Sequence, residues 1–438
     1  MARKRRHDPE TGTVRAVTHD GRGIVDTAGK KVFVAGALAG ETVTFRRRKR
    51  RRNFDEAELL EVVEASPERV APKCAAFGVC GGCALQHVDV GQQRDIKAQS
   101  LRDSLERIGQ VAPREWLPPL TAEPWHYRRR ARLAVKDVSN KGRVLVGFRE
   151  RHAPYVADMH RCEILARPVD GLLDALSELV GSLGIRSRVP QIEVAVADSA
   201  TALVFRVLDA PDSADREQLA AFAARFDVQV WLQPGGLGSL VPLAPADPVP
   251  LSYDLPAFDV TIRFEPVDFV QVNGEINRLM VERAIALLDV DSTHRALDLY
   301  CGIGNFSLPL ARRAAEVLGI EGEETLVARA AANAARNGIT NARFRRADLS
   351  AVDGREDWMR QTWDRLLLDP ARNGAAELVE HLPRLAPGRV VYVSCHPGTL
   401  ARDAGVIVNT HGYRLEAAGI IDMFPHTAHV ESVAVFTK

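Results

Sequence analysis

Cys395 ends a short apolar run, Val391-Tyr392-Val393-Ser394, and His396-Pro397-Gly398 follow it at once. A strand that stops on a thiol before a Pro-Gly turn presents that thiol to a ligand, because substrates sit at the carboxyl ends of strands in an open α/β sheet. Cys395 is therefore a candidate nucleophile. With an ordinary pKa of about 8.5 it needs activation or a very good electrophile. Glu431, between Val430 and Ser432, is a carboxylate on an apolar strand. Burial there would raise its pKa towards that of a general base. His426 and His429 lie nearby in the chain and read as structural hydrogen-bonding groups. Cys301, inside a glycine turn, reads as a small packing residue.

A second group of residues suits a nucleotide-like cofactor. Arg295–Tyr300 is an apolar strand running into Cys301-Gly302-Ile303-Gly304-Asn305. The two glycines would let the backbone approach a ligand, although a tight turn without any ligand reads as well from this motif alone. Glu321 lies 17 residues beyond Gly304, where an acid can bind ribose hydroxyls. Asp348 and Asp369 end the next two strands. Position 307 is Ser307, so the dinucleotide fingerprint is incomplete and S-adenosylmethionine is favoured.

A third group is Cys74-x5-Cys80-x2-Cys83, with Cys162 far downstream. Four thiolates can hold a [4Fe–4S] cluster or a zinc ion, and the spacing prefers the former without excluding the latter. Gly78, Gly81 and Gly82 would let the loop wrap a bulky group. The set is not the C-x3-C-x2-C of radical enzymes.

These residues need three supports. At 438 residues the chain exceeds one core. Residues 12–64 read as five short strands, which suggests a small OB-like barrel over 7–66. Residues 67–265 read as a central α+β region with a helix over Val88–Ile108. From 266 to 438, strands and helices alternate as in a doubly wound, Rossmann-like sheet. The strands are expected at 295–300, 315–320, 343–347, 365–368, 390–394, 413–421 and 430–436.

Charge adds a partner class. Residues 1–52 carry 15 Lys/Arg against 5 Asp/Glu, a net of +10, while the remainder is −9. Residues 46–52 are seven consecutive cations, and residues 121–162 hold 10 Lys/Arg against 4 Asp/Glu. A basic arm on an acidic body points to a polyanion such as RNA, although such a run can also be a solvated, disordered segment. Met1–Arg6 is cationic with no apolar segment behind it, and no apolar stretch reaches 18 residues. A cytoplasmic protein without a membrane span is expected. Six cysteines there point to metal binding or catalysis rather than disulfides.

The chain resembles the RNA uracil-5 methyltransferases over nearly its whole length. The resemblance rests on Asp369-Pro370-Ala371-Arg372-x-Gly374, Tyr392-Val393-Ser394-Cys395 and Asp422-Met423-Phe424-Pro425-His426-Thr427-Ala428-His429-Val430-Glu431. It implies a TRAM barrel and a [4Fe–4S] cluster on Cys74, Cys80, Cys83 and Cys162. It implies Cys395 as nucleophile and Glu431 as general base. S-adenosylmethionine contacts are implied at Gln271, Tyr300, Asn305, Glu321, Asp348 and Asp369, with Phe269 placed to stack on the target base. Tyr300 stands where the family commonly has phenylalanine, and His396 where it usually has asparagine. Barrel and cysteines together resemble the members that act on 23S ribosomal RNA, at a uridine that is single-stranded or flipped out, with no obligatory protein partner implied. The alternatives are a tRNA uracil-5 methyltransferase, a cytosine-5 enzyme, and a non-catalytic RNA-binding ribosome-assembly factor.

Overall fold

A computed structural model of the chain describes residues 8–18, 20–27 and 29–438. The cationic Met1–Arg6 lies outside these residues. Glu10–Val17, Arg22–Asp26, Lys31–Ala35, Thr42–Arg50 and Phe54–Glu64 form a closed barrel, with the fifth strand between the third and fourth. Alternation carries it: Val32, Val34, Val43 and Phe45 point inward and are fully buried. The expected barrel is present. The cationic run, 46–52, lies partly in this barrel. The fourth strand continues through it to Arg50, paired with acidic residues of the fifth, so that Arg46 faces Glu58 and Lys49 faces Glu56. Arg47 is half-buried, donating to Glu10 at 2.7 Å and to Asp55 at 2.5 Å. Up to Arg50 the run is ordered sheet whose charge cross-strand carboxylates partly offset, while Arg48, Lys49 and Arg50 stay exposed.

A six-stranded sheet follows, in the order Val241–Ala244, Gln229–Gln233, Thr201–Arg206, Gln191–Val196, Arg130–Val138, Arg143–Gly147. Helices Leu173–Ser182 and Ser213–Phe226 share its core, which also takes in Cys80 and Cys162.

The third unit is an eight-stranded sheet. Its order is Ala342–Arg346, Glu316–Glu321, Arg295–Leu299, Arg365–Leu368, Arg389–Ser394, Glu431–Thr437, Arg414–Ile421, Glu115–Trp116. The first five strands are parallel; the edge strand Ala342–Arg346 is partly exposed and charged, and the other four are largely buried, hence their apolar runs. Chain order reverses between Arg295–Leu299 and Arg365–Leu368, which makes that gap the switch point where ligands bind. Glu431–Thr437 inserts antiparallel beside Arg389–Ser394. Glu115–Trp116, from the segment read as central, completes the edge of this sheet. Helix Val90–Ser104, capped by the Asp89 side chain on the Gly91 amide, belongs to the same body. Gly109, just past it, lies against Gly405, where a Cβ would meet the Gly109 carbonyl oxygen at 2.9 Å.

Candidate active site

The site begins with strand register. Antiparallel pairing sets Ser394 opposite Ser432. One step further along, Cys395 and Glu431 meet at the same end and on the same face. The Ser432 hydroxyl donates to the Ser394 carbonyl at 3.3 Å and ties these ends together. The Ser394 hydroxyl accepts from the His396 amide at 3.2 Å and donates to the His396 carbonyl, closing a tight turn around the thiol. His396 then caps helix Pro397–Gly405: its Nδ1 accepts from the Thr399 amide at 3.2 Å. The imidazole thus caps the helix as an asparagine side chain could.

Cys395 is half-buried, and Glu431 is 8% exposed. Burial pushes the Cys395 thiol up to about 11, aided by the Glu431 and Asp369 carboxylates and opposed by Arg372. Burial, with Asp369 adding to it, pushes Glu431 up to about 8. Burial alone raises Asp369 to about 7. A thiol and carboxyls that titrate near neutrality therefore stand together, as proton transfer at pH 7 requires.

The switch point holds the glycine turn. Tyr300 and Gly304 both have left-handed backbones, with φ of 67° and 96°. At Gly304 a Cβ would run into Leu308 Cδ1, whereas at Gly302 it would meet nothing. The turn is thus packed from below and open above, a cradle suited to a nucleoside. Glu321 accepts from the Gly302 amide at 3.1 Å and so fixes the turn. Tyr300 is half-buried, and Asp348 is exposed, accepting from the Ser350 amide and hydroxyl. Gln271 and Asn277 line one cavity, and Phe269 beside it is 75% exposed.

Asn305 is held in place by its neighbours. Its amide exchanges hydrogen bonds with Asn277 at 2.9 and 3.0 Å and accepts from Tyr253 at 2.8 Å. It locks the turn to helix Gly274–Leu288. Asp298 escaped the sequence reading. It is fully buried, takes a hydrogen bond from Ser307, leaves Oδ1 without a partner, and rises to about 7 through burial. A carboxylate inside an apolar strand was the available signal. Cys301 is buried against Gly319, as a packing residue would be.

Three raised carboxyls give a pH dependence. Asp298, Asp369 and Glu431 titrate near 4 when unfolded and at about 7, 7 and 8 when folded. Their stabilisation is present in full below the unfolded values and is lost as pH rises through the folded ones. His87 and His426, lowered to about 4 by burial, act the other way but are neutral in both states above about 6.5. The ligand-free protein should therefore melt at progressively lower temperature from pH 6.5 to pH 8, and Glu431→Gln should flatten the slope. Thermal unfolding across that window checks it.

Cys74, Cys80, Cys83 and Cys162 line one cavity, together with Phe77, Phe148 and Met159. All four are free thiols, and burial raises Cys83 to about 11 and Cys162 to about 12. The fold thus brings together residues 79 positions apart in the chain, Cys83 and Cys162. Among the described residues, no group of three or more His, Cys, Asp or Glu is set to hold a metal ion. A larger cavity, of about 1060 Å³, runs from Cys395, Arg372 and His429 to Arg15, Thr18 and Lys31 of the barrel.

The tRNA (uracil-5-)-methyltransferase family model matches residues 120–438. The chain belongs to this family. Its fold is that of a uracil-5 methyltransferase, and it is an S-adenosylmethionine-dependent enzyme. A curated relative from Alkalilimnicola ehrlichii, 23S rRNA (uracil(1939)-C(5))-methyltransferase RlmD, is 51% identical, covering 100% of this chain and 99% of the relative. Its counterpart in Stenotrophomonas maltophilia is 49% identical over 96% of each chain. The crystal structure of Pyrococcus abyssi tRNA (uracil-54, C5)-methyltransferase in complex with S-adenosyl-L-homocysteine superposes with a TM-score of 0.75. It covers 98% of this chain and 100% of that one, at 23% identity, a likeness of fold. No helix among the described residues is long and apolar enough to cross a membrane.

Proposed function

We propose that the protein methylates C5 of one uridine in 23S ribosomal RNA, forming 5-methyluridine, by way of a covalent bond between Cys395 and uracil C6. The observation that carries this reading is the juxtaposition of Cys395 and Glu431 at one end of a strand pair, beside the switch point. The full-length similarity to enzymes of that activity supports the choice of RNA.

Uracil C5 is a poor nucleophile. The Cys395 thiolate bonds to C6, and the C5–C6 π electrons move towards the C4 oxygen, leaving C5 enolate-like. S-adenosylmethionine supplies a methyl group on a cationic sulfur. C5 bonds to that carbon, and the carbon–sulfur bond breaks onto the sulfur, which leaves neutral. Glu431 then takes the C5 proton, the C5–C6 double bond re-forms, and the thiolate is expelled. One hard step becomes two easier ones. Gln271, Tyr300, Asn305, Glu321, Asp348 and Asp369 hold the methyl donor. The carboxylates among them, Glu321, Asp348 and Asp369, suit its positive sulfur better than the neutral product. Asn305 also locks the turn to helix Gly274–Leu288. Phe269, exposed at the mouth, stacks on the uracil.

The target must leave its stack to reach Cys395, so it is single-stranded or flipped out. The barrel is the TRAM module of the family, and Arg15 and Lys31 grip phosphate along the cavity above the thiol. Cys74, Cys80, Cys83 and Cys162 fit a [4Fe–4S] cluster as a set of four soft sulfurs converging on one apolar cavity. Such a group would crosslink the loop, since the methyl transfer consumes no electrons. The protein works in the cytoplasm, where its RNA is.

The test is a deletion strain. Mapping 5-methyluridine in its 23S rRNA and tRNA should reveal one methyl missing from 23S rRNA, restored by the wild-type gene. Loss from tRNA alone would sink the assignment of the RNA.

A further inference from the structure

His426 has a left-handed backbone, φ 64°, in the loop that leads from Ile421 to Glu431. A side chain other than Gly, Asn or Asp enters that region only when its surroundings hold it. Here they do, from two sides. The His426 carbonyl accepts two amides, from Ala84 at 2.8 Å and Leu85 at 2.9 Å. Those are the first residues after Cys83. The Gln93 carboxamide grips His426 twice: its oxygen accepts from the His426 amide at 2.8 Å, and its Nε2 lies 3.2 Å from Nδ1. That Nε2 also donates to the carbonyls of Leu85 and Val88. The His426 ring stacks on Trp125 at 3.8 Å. Lys97 holds the start of the same loop, donating to Asp422 at 2.7 Å and to the Phe424 carbonyl at 2.9 Å.

The cysteine loop and the loop leading to the base are thereby one hydrogen-bonded unit with His426 at the joint. We propose that His426 is a positioning residue through which the cysteine loop sets the place of Glu431 for removal of the C5 proton. This rests on the reading of Glu431 as the base. It gives the cysteine site a part in the reaction that needs no electron transfer. When the loop is crosslinked, Ala84 and Leu85 hold the His426 carbonyl, and Glu431, five residues on, keeps its reach to C5. When the loop is loosened, addition and methyl transfer at Cys395 proceed, but elimination slows.

The experiment is single-turnover methylation of a 23S rRNA transcript, with released product and denaturation-resistant protein–RNA adduct counted separately. His426→Val, whose branched side chain disfavours the left-handed backbone, and Gln93→Ala should transfer methyl to RNA yet release it at least tenfold more slowly. Adduct should then accumulate on ordinary uridine RNA, with the KM for S-adenosylmethionine within twofold of wild type. His426→Asn, which tolerates positive φ, should restore most of the release rate. Hydrogen exchange in peptide 422–430 should rise in Cys83→Ala, while strand Arg295–Leu299 stays protected. Wild-type release rates in His426→Val and Gln93→Ala, or unchanged exchange in 422–430, would overturn the inference. Wild-type enzyme with 5-fluorouridine RNA separates the two ideas. A stable adduct there alongside unaffected variants rejects the positioning role alone. No adduct rejects the covalent reading and the inference with it.

Discussion

Cys395→Ala is expected to lower single-turnover methyl transfer by about 10⁴-fold or more, the scale on which removing a covalent nucleophile acts. Affinity for S-adenosylmethionine should stay within a few-fold, because the alanine leaves the glycine turn untouched. The size of the effect follows from the electronics of the substrate. Without a bond to C6, C5 has no negative character to offer a methyl group, and no other thiol can substitute. Cys301 is buried, with its thiol pushed well up by burial. Filter binding of labelled methyl in RNA, together with calorimetric titration of the methyl donor, checks both halves. Cys395→Ser should be nearly as inactive, since a hydroxyl is a far weaker nucleophile at neutral pH. Transfer by Cys395→Ala at the wild-type rate would remove the covalent mechanism.

The resting thiol is protonated: burial and two nearby carboxylates hold it up at about 11. The enzyme must therefore ionise it in the complex. Arg372 is the nearby cation that favours the thiolate, and Pro397–Gly405 starts just beyond His396 with its amides towards the same end. Arg372 sits in the Asp369–Gly374 motif, whose chemistry the sequence did not resolve beyond Asp369.

What could be read from residues alone has a physical boundary. Strands buried on both faces are apolar runs ending in polar residues, and seven of the eight strands of the C-terminal sheet were expected within a residue or two of where they lie. The exceptions were of two kinds. Glu115–Trp116 has only two residues and no periodicity, and it exists because Ala417 and Ala418 offer an edge. The cationic run gives no pattern of its own, and its pairing becomes visible only with the acidic strand beside it. Site residues followed the same rule. Cys395 and Glu431 are odd residues in apolar strands and stand out. Asn277, Tyr253, Gln93 and Trp125 are ordinary residues in ordinary local sequence. They matter through partners tens to hundreds of positions away, such as Gln93 with His426, 333 residues apart. The four cysteines could be grouped by type, but their convergence on one cavity is a property of the fold.

Glu431→Gln separates the end of the reaction from its beginning. The glutamine has nearly the same shape and keeps the strand, but it cannot accept a proton at neutral pH. Addition to C6 and methyl transfer need no base at C5, so both should proceed. Proton removal should slow by about 10²- to 10⁴-fold, the usual worth of a positioned base. The methylated RNA would then stay bonded to Cys395, giving a protein–RNA band on a denaturing gel with ordinary uridine RNA. That band should be absent in Cys395→Ala/Glu431→Gln. The pH profile supplies a second signature. Glu431 is pushed up to about 8, chiefly by burial, so its basic form grows tenfold for each pH unit below that value. Elimination by the wild type should rise with pH through about 8 and then level off. In Glu431→Gln, the residual elimination should lose that rise. Free multiple turnover by Glu431→Gln, with no trapped band and an unchanged pH profile, would assign the proton to another group. Asp369, raised to about 7 beside the same thiol, would be the next one to replace.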